Sequence, residues 1–280
     1  MGFQWNPITK SCIRRIHLPS QQGRANTVVQ KVLITAGATG IGRAMADSFS
    51  SQGSEVWVAD VDEVALDTCP KEWRRDQLDV TDEKAISKLF SQLLAEWGEL
   101  NVLCANAGIA GPTAPVEETS LADWRRCVSV NLEGAFLFSK YAAPLMKSQK
   151  SGVIILTSST AGLYGFMHRA PYVSAKWGVI GLMKTLAIEL GPFNIRTNVI
   201  CPGSVEGPRL DGVIEREAAA KGVRADEIRE AYAAGTAMGR LVSPTDIANM
   251  AVFLASDAAR LVSGQAIAVD GHTEHPEPKF

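Results

Sequence analysis

Cysteine is sparse in this chain and never clustered. The five thiols, at positions 12, 69, 104, 127 and 201, form no C-x-x-C pair and no set with metal-ligand spacing. That excludes a disulfide scaffold and a cysteine zinc site, and it reads as free thiols in a reducing compartment, hence a cytoplasmic protein. Cys104 and Cys201 fall at the ends of apolar runs, where core packing is the default. No apolar run is long enough to cross a membrane. A charge excess of either sign is also missing: 28 Lys and Arg stand against 30 Asp and Glu, a net of −2, which argues against a nucleic-acid partner and against a disordered acidic tract. Internal repeats and linkers are absent. The tail histidines His272 and His275 have no carboxylate or cysteine cluster beside them, so no metal is expected. Acidic residues are missing from the first thirty positions, which carry Lys10, Arg14, Arg15 and Arg24. Without a sustained amphipathic period or a secretory apolar core, residues 1–30 read as a flexible extension, or as the product of an upstream start, rather than a targeting peptide.

What is present is ordinary for a globular protein: 46% hydrophobic and 21% charged residues over 280 positions, enough for one α/β domain with a large core. Strands and helices alternate along the chain. "VLIT" (Val32 to Thr35) is a short branched run that reads as a buried parallel strand. Gly37, Gly40 and Gly42 make a turn, a helical period follows through Phe49, and Gly53 ends it. "EVWVAD" is a second strand ending in Asp60. Strand, Gly-rich turn, helix and acid-terminated strand in succession form a βαβ dinucleotide-binding pattern. The glycines admit a pyrophosphate to the helix N-terminus, and the acid can take the adenosine ribose hydroxyls.

The same reading gives a third strand end at Asp76 to Val80 and a helix over 82–97 closed by Gly98. A fourth strand runs up to "CANAG". Ser120 and Asp123 mark the N-terminus of a helix expected to run through Asn131 towards Pro144, where it should kink or end. "GVIILTSS" is the fifth strand. A helix from Pro171 to Gly191 buries Val179, Leu182, Met183, Leu186 and Leu190, and "IRTNVICPG" is the sixth strand. Residues 206–240, polar and broken by glycines, read as one or two helices forming a lid. A last helix starts at Ser243-Pro244, and "GQAIAVDG" is the seventh strand. The expected fold is a single doubly wound parallel sheet, a Rossmann fold, over 31–271, with 272–280 as a solvated tail.

Tyr172 and Lys176 stand one helical turn apart, on one face. A cation there favours the phenolate and brings the tyrosine closer to the pH of proton exchange. Ser159 can hydrogen-bond the same substrate oxygen. A Tyr-x-x-x-Lys pair alone is equally what a solvated helix face would show; its setting behind the βαβ pattern gives it weight.

From about Lys31 to Gly271 the sequence resembles the short-chain dehydrogenase/reductase family. Thr35-Ala36-Gly37-Ala38-Thr39-Gly40-Ile41-Gly42 corresponds to the family's glycine turn, and Ala105-Asn106-Ala107-Gly108 to its N-N-A-G. Asn131, Ser159, Tyr172 and Lys176 match its catalytic set, and Pro202-Gly203 its P-G turn. Spacing to the tyrosine selects Ser159 over Ser158. The resemblance implies hydride transfer between a secondary alcohol and a nicotinamide cofactor. Tyr172 would be the acid/base, Lys176 its partner on the ribose, Ser159 the orienting hydroxyl, and Asn131 the holder of a relay water. It implies cofactor contacts at Gly37, Thr39, Gly40, Ile41, Gly42, Asp60, Val61, Asp79, Val80, Asn106, Ala107, Gly108, Tyr172, Lys176, Pro202, Gly203 and Val205, and a homotetramer or homodimer. Three departures stand out. Ala36 replaces a glycine, Ala105 an asparagine, and Gly207 a threonine that often contacts the nicotinamide amide.

Asp60, with only neutral turn residues Ala38 and Thr39 beside it, predicts NAD over NADP. His168, Arg169 and Arg209 flank the expected substrate position. Two arginines converging there would clamp a carboxylate, so the substrate is expected to be a small polar alcohol or ketone, anionic if they do converge. An NADP-dependent 3-oxoacyl reductase and a non-catalytic NAD-binding regulator are the alternatives to an NAD-dependent alcohol dehydrogenase.

Overall fold

Strand β1 (Lys31–Thr35) shows how the molecule is layered. Its side chains alternate between two cores. Val32 and Ile34 pack with Met45, Phe49, Ile247 and Leu254, and Leu33 packs on the opposite face with Leu89, Phe138 and Met183. A strand buried on both faces must be apolar at successive positions, and that is the composition of a central parallel strand. The computed structural model describes residues 29–274. Most of the expected N-terminal extension, with Cys12, and the tail from His275 lie outside the described residues.

The chain continues through α1 (Gly40–Ser51), β2 (Glu55–Asp60), α2 (Glu63–Asp67), β3 (Arg74–Gln77), α3 (Glu83–Trp97), β4 (Val102–Ala105), α4 (Leu121–Val128), α5 (Gly134–Gln149), β5 (Gly152–Thr157), α6 (Ala170–Leu190), β6 (Ile195–Pro202), α7 (Pro208–Lys221), α8 (Ala225–Ala234), α9 (Pro244–Ala255) and β7 (Ala266–Val269). The sheet order is β3-β2-β1-β4-β5-β6-β7, and every neighbouring pair is parallel. Strand order reverses beside β1, so the loops after β1 and β4 diverge there and open a crevice at the carboxyl ends of the strands. The doubly wound fold read from the sequence is the fold observed.

Local signals explain most boundaries. Asp82 caps α3 by accepting from Lys84 and Ala85 N–H at 3.0 and 3.1 Å, and Gly98 ends it with φ 69°. Ser243 and Asp246 form a reciprocal capping box at α9, a feature worth on the order of 1 kcal/mol. Three expectations differ. The third strand lies at Arg74–Gln77, earlier than read, because its edge position tolerates polar residues that an apolar pattern overlooks. Pro144 does not end its helix: α5 continues to Gln149 and stops where Lys150 turns left-handed at φ 52°. The interruption falls instead at Ser129–Glu133, a π-helical turn joining α4 to α5.

The third difference concerns the C-terminal segment. Residues 272–274, expected to be solvated tail, are bound together with Gly271 to the chain leaving α8. Ala237 N–H donates to the His272 carbonyl at 2.9 Å, Met238 N–H to Gly271 at 3.1 Å, and Glu274 N–H to the Gly235 carbonyl at 3.0 Å. Helices α7 and α8, in the stretch expected to be a lid, share a small apolar cluster of Ile214, Ala218 and Ile228. Among the described residues no helix is long and apolar enough to cross a membrane.

Candidate active site

The turn after β1 is built by close contact. A Cβ at Gly37 would stand 2.6 Å from Val58 Cγ1, and one at Gly42 would stand 2.0 Å from the Ala36 carbonyl oxygen. Both glycines therefore serve packing and lie outside the cavity lining. Ala36 holds φ 50°. The residue that departs from the family's glycine thus sits in the left-handed region, where a Cβ costs roughly 1–2 kcal/mol. Thr35 Oγ1 ties this turn to the loop after β4, accepting from the N–H groups of Asn106 and Ala107, both at 2.9 Å. Thr39 makes no side-chain cap on α1, and the first turn of α1 carries no acid. The helix N–H groups there are left for an anion.

Three cavities run in series along the strand ends. The first, about 210 Å³, is lined by Thr39, Asp60, Val61, Asp79, Val80, Ala107, Gly108 and Arg126. The second, about 240 Å³, shares Thr39 and Gly108 with it and adds Gly40, Ile41, Asn106, Ser159, Tyr172, Lys176, Pro202, Gly203 and Val205. The third, about 190 Å³, shares Ser159, Tyr172, Gly203, Val205 and Arg209 with the second and extends to Arg169, Tyr232, Thr236 and Thr273.

At the first cavity Asp60 is buried, and its carboxylate accepts from Ala38 and Asp62 N–H, each at 3.1 Å. One bond per oxygen leaves lone pairs for further donors. Arg43 is directed elsewhere, paired with Asp47 at 3.1 Å and lying 5.2 Å over the Trp73 ring. Thr81 N–H holds the Asp79 carboxyl below the usual range against the opposing effect of burial, with Arg126 contributing.

Where the second and third cavities meet, β5 and α6 bring the reactive groups together. Ser158 is spent on structure, donating to the Lys176 carbonyl at 2.8 Å, while Ser159 stands at the start of the next turn and reaches the Tyr172 hydroxyl. Lys176 is buried and donates to the Thr157 carbonyl at 2.9 Å. Burial, opposed by Tyr172, lowers its pKa. Burial by itself would raise the Tyr172 pKa; Lys176, Arg209, Ser159 and Arg169 together outweigh it, and the phenol ends below its ordinary 10.0. The π-helical turn places Asn131 beneath the site. Its Nδ2 donates to the carbonyls of Cys127 and Ile109 at 2.9 and 3.0 Å, whereas Oδ1 is buried with no donor among the described residues. A Cβ at Gly108 would stand 2.6 Å from that Oδ1 and 3.2 Å from Lys176 Nζ, so the glycine keeps open the space that both atoms face.

These features fit a dinucleotide laid across the strand ends: an acid at the ribose end, open helix N–H groups at the middle, and a lysine beside a phenol at the reactive end. Sixteen of the residues named from the sequence as catalytic or cofactor-binding line the first two cavities; Gly37 and Gly42 pack behind them, and Asn131 lies beneath, facing Gly108. Arg169 and Arg209 line the third cavity. His168 is exposed, has φ 59°, and lies outside that lining. Sequence reasoning missed Arg126, Tyr232, Thr236 and Thr273, which belong to segments with no local motif.

The family model described as "Enoyl-(Acyl carrier protein) reductase" matches residues 35–272. The cis-4-hydroxycyclohexanecarboxylate dehydrogenase of Sinomonas cyclohexanicum is 36% identical over 247 residues, covering 85% of this chain and 94% of the relative. The crystal structure of an NAD+-bound xylitol dehydrogenase superposes with a TM-score of 0.82 at 27% identity, covering 86% of this chain and 98% of that one. The structure of ElxO with NADP bound gives a TM-score of 0.78 at 27% identity, covering 87% and 98%. Joined to the ordered motifs and the parallel sheet, these likenesses establish that the chain belongs to the short-chain dehydrogenase/reductase family.

Proposed function

We propose that this protein is an NAD-dependent dehydrogenase/reductase that interconverts a secondary alcohol and its carbonyl compound, on a small polar substrate carrying an anionic group. The observation that carries the reading is the position of Tyr172. The phenol lies where the cofactor-side cavity meets the substrate-side cavity, with Ser159 and Lys176 beside it. When bound, a nicotinamide cofactor supplies the hydride chemistry. Tyr172 takes the alcohol proton during oxidation and returns it during reduction. Ser159 donates to the substrate oxygen and holds it against the phenol. Lys176 stabilises the phenolate and would hold the ribose of the bound cofactor, and Asn131 Oδ1 would orient a water that carries the proton on past Gly108.

Asp60 supports NAD over NADP. Two like charges about 4 Å apart repel by roughly 4 kcal/mol at an effective dielectric of 20, and Arg43 is engaged by Asp47 and Trp73 rather than free to offset a 2′-phosphate. An anionic substrate is supported by Arg169 and Arg209. Both line the outer cavity, and neither makes an ion pair with a carboxylate among the described residues. The relative from Sinomonas is named for a hydroxy acid. The free cysteines support a cytoplasmic setting, and the exposed Phe136 and Trp177 on α5 and α6 support a homodimer or homotetramer.

The test is Tyr172→Phe. Turnover should fall by about 10²–10⁴ while NADH binding, read by fluorescence titration, changes by less than about threefold. Lys176→Ala should lose both. A Tyr172→Phe enzyme with wild-type turnover would remove the acid/base assignment.

A further inference from the structure

The wall of the outer cavity is completed by a segment beyond the seventh strand. Asp270 directly follows β7 and is buried, with its Cβ packed where a Gly203 side chain would stand, 2.7 Å away. One Asp270 oxygen accepts from His272 N–H and the other from Thr273 N–H, both at 3.0 Å. A single carboxylate thus fixes the direction of the next three residues. The segment then pairs with Gly235–Met238, where the chain leaves α8, and Thr273 lies across a β-bridge from Thr236. Both threonines line the outer cavity and neither lines the cofactor-side cavity, so they face the end of the substrate remote from Tyr172. Their hydroxyls differ. Thr236 Oγ1 donates to the Ala233 carbonyl at 3.0 Å and accepts from Arg240 N–H at 3.3 Å. The Thr273 hydroxyl makes no hydrogen bond to any described residue. A hydroxyl on a fixed backbone, facing a cavity and uncommitted, can donate to a carboxylate or exchange bonds with an alcohol.

We propose that Thr273 is a specificity-determining residue that hydrogen-bonds the remote polar end of the substrate, and that Asp270 is the positioning residue that aims it. This rests on the reading of the outer cavity as the substrate site. It adds a contact from just beyond the matched family region, which closes at residue 272. The hydrogen bonds between this segment and the exit of α8 join Thr236 and Thr273 into one cavity wall.

The experiment uses the full chain with NAD and a panel of hydroxy acids, diols and cyclic alcohols, comparing wild type, Thr273→Val, Thr273→Trp, Asp270→Asn and Tyr172→Phe. Thr273→Val should raise KM for the best polar substrate about fivefold or more, leave kcat within about twofold, and leave KM for an unsubstituted cyclic alcohol unchanged, as expected for loss of one hydrogen bond of about 1 kcal/mol. Thr273→Trp should abolish use of the bulkier panel members while NADH binding is retained. Asp270→Asn should follow Thr273→Val in KM at unchanged kcat; if it fails to fold, the two Thr273 variants decide the matter. Thr273→Val and Thr273→Trp enzymes with wild-type KM throughout the panel would overturn the inference while leaving the proposed function intact, provided Tyr172→Phe is inactive. A wild type that oxidises nothing in the panel, or a fully active Tyr172→Phe, would sink the proposed function and this inference with it.

Discussion

Arg209, on the first turn of α7, holds its guanidinium carbon 5.8 Å from the centroid of the Tyr172 ring. Arg169 approaches the same ring at 5.0 Å and Lys176 at 5.7 Å, so the phenol is surrounded by three cations from two helices and the residue before one of them. Of the three, Arg209 alone rides on the stretch 206–240, which makes the acidity of Tyr172 depend on where α7 sits.

The pH dependence follows in sign. Burial raises the Tyr172 pKa, and Lys176, Arg209, Ser159 and Arg169 lower it further than burial raises it. Removing one cation must therefore move the pKa up. For Arg209→Met, the rising limb of kcat/KM for alcohol oxidation should shift to higher pH, because the phenolate is the base. The falling limb for carbonyl reduction should shift the same way, because the phenol is the acid. Profiles measured in both directions check this, and limbs that stay in place would exclude Arg209 from the electrostatics of the phenol.

Cofactor choice is tested at Asp60. Asp60→Ala should raise the NADP to NAD ratio of kcat/KM by at least about tenfold, since half of the roughly 4 kcal/mol repulsion already exceeds a factor of ten. The variant should also melt earlier, because the Ala38 and Asp62 N–H groups lose their acceptor. A wild type that prefers NADP would contradict the assignment outright.

Gly108 tests the space facing Asn131. A Cβ there would press within 2.6 Å of Asn131 Oδ1. Gly108→Ala should lower kcat more than about tenfold while shifting the melting temperature by only a few degrees, because the neighbours are side-chain ends that can yield. Stopped-flow single turnovers would show the chemical step slowed; an unaffected step would mean that the proton leaves by another path.

Ala36 offers the reverse experiment. At φ 50° an alanine is strained, and glycine should relieve roughly 1 kcal/mol net of its greater freedom in the unfolded chain. Ala36→Gly should raise the melting temperature by about 2–4 °C with activity retained. A lower melting temperature would show that the turn relaxes around the alanine.

Much of this molecule is legible because its signals are local. The run Val32 to Ile34 as a buried strand, Gly98 as a helix stop and Ser243-Pro244 as a helix start each depend on neighbours in sequence. Tyr172 and Lys176 are one turn apart on a single helix, so their partnership needs no tertiary information. Asp60 is similar, since a βαβ unit fixes the end of its second strand relative to the turn. By contrast, Pro144 reads as a kink or an end because a missing N–H is a local cost, and α5 does not end there but runs on to Gln149. The actual irregularity, the π-helical turn at Asn131, has no composition of its own.

The sequence by itself determined the order of strands and helices, the Rossmann class and the one-turn spacing that pairs Tyr172 with Lys176, because periodicity, turn chemistry and short spacings are properties of adjacent residues. Only the tertiary structure decided which cations surround Tyr172, that His168 stays outside the cavity while Arg169 enters it, and that Thr273 meets Thr236 across the outer wall. Those relationships join the turn before α6, the start of α7, the exit of α8 and the end of β7. Their proximity is set by the packing of the sheet and its helices, and no pattern within any one segment encodes it.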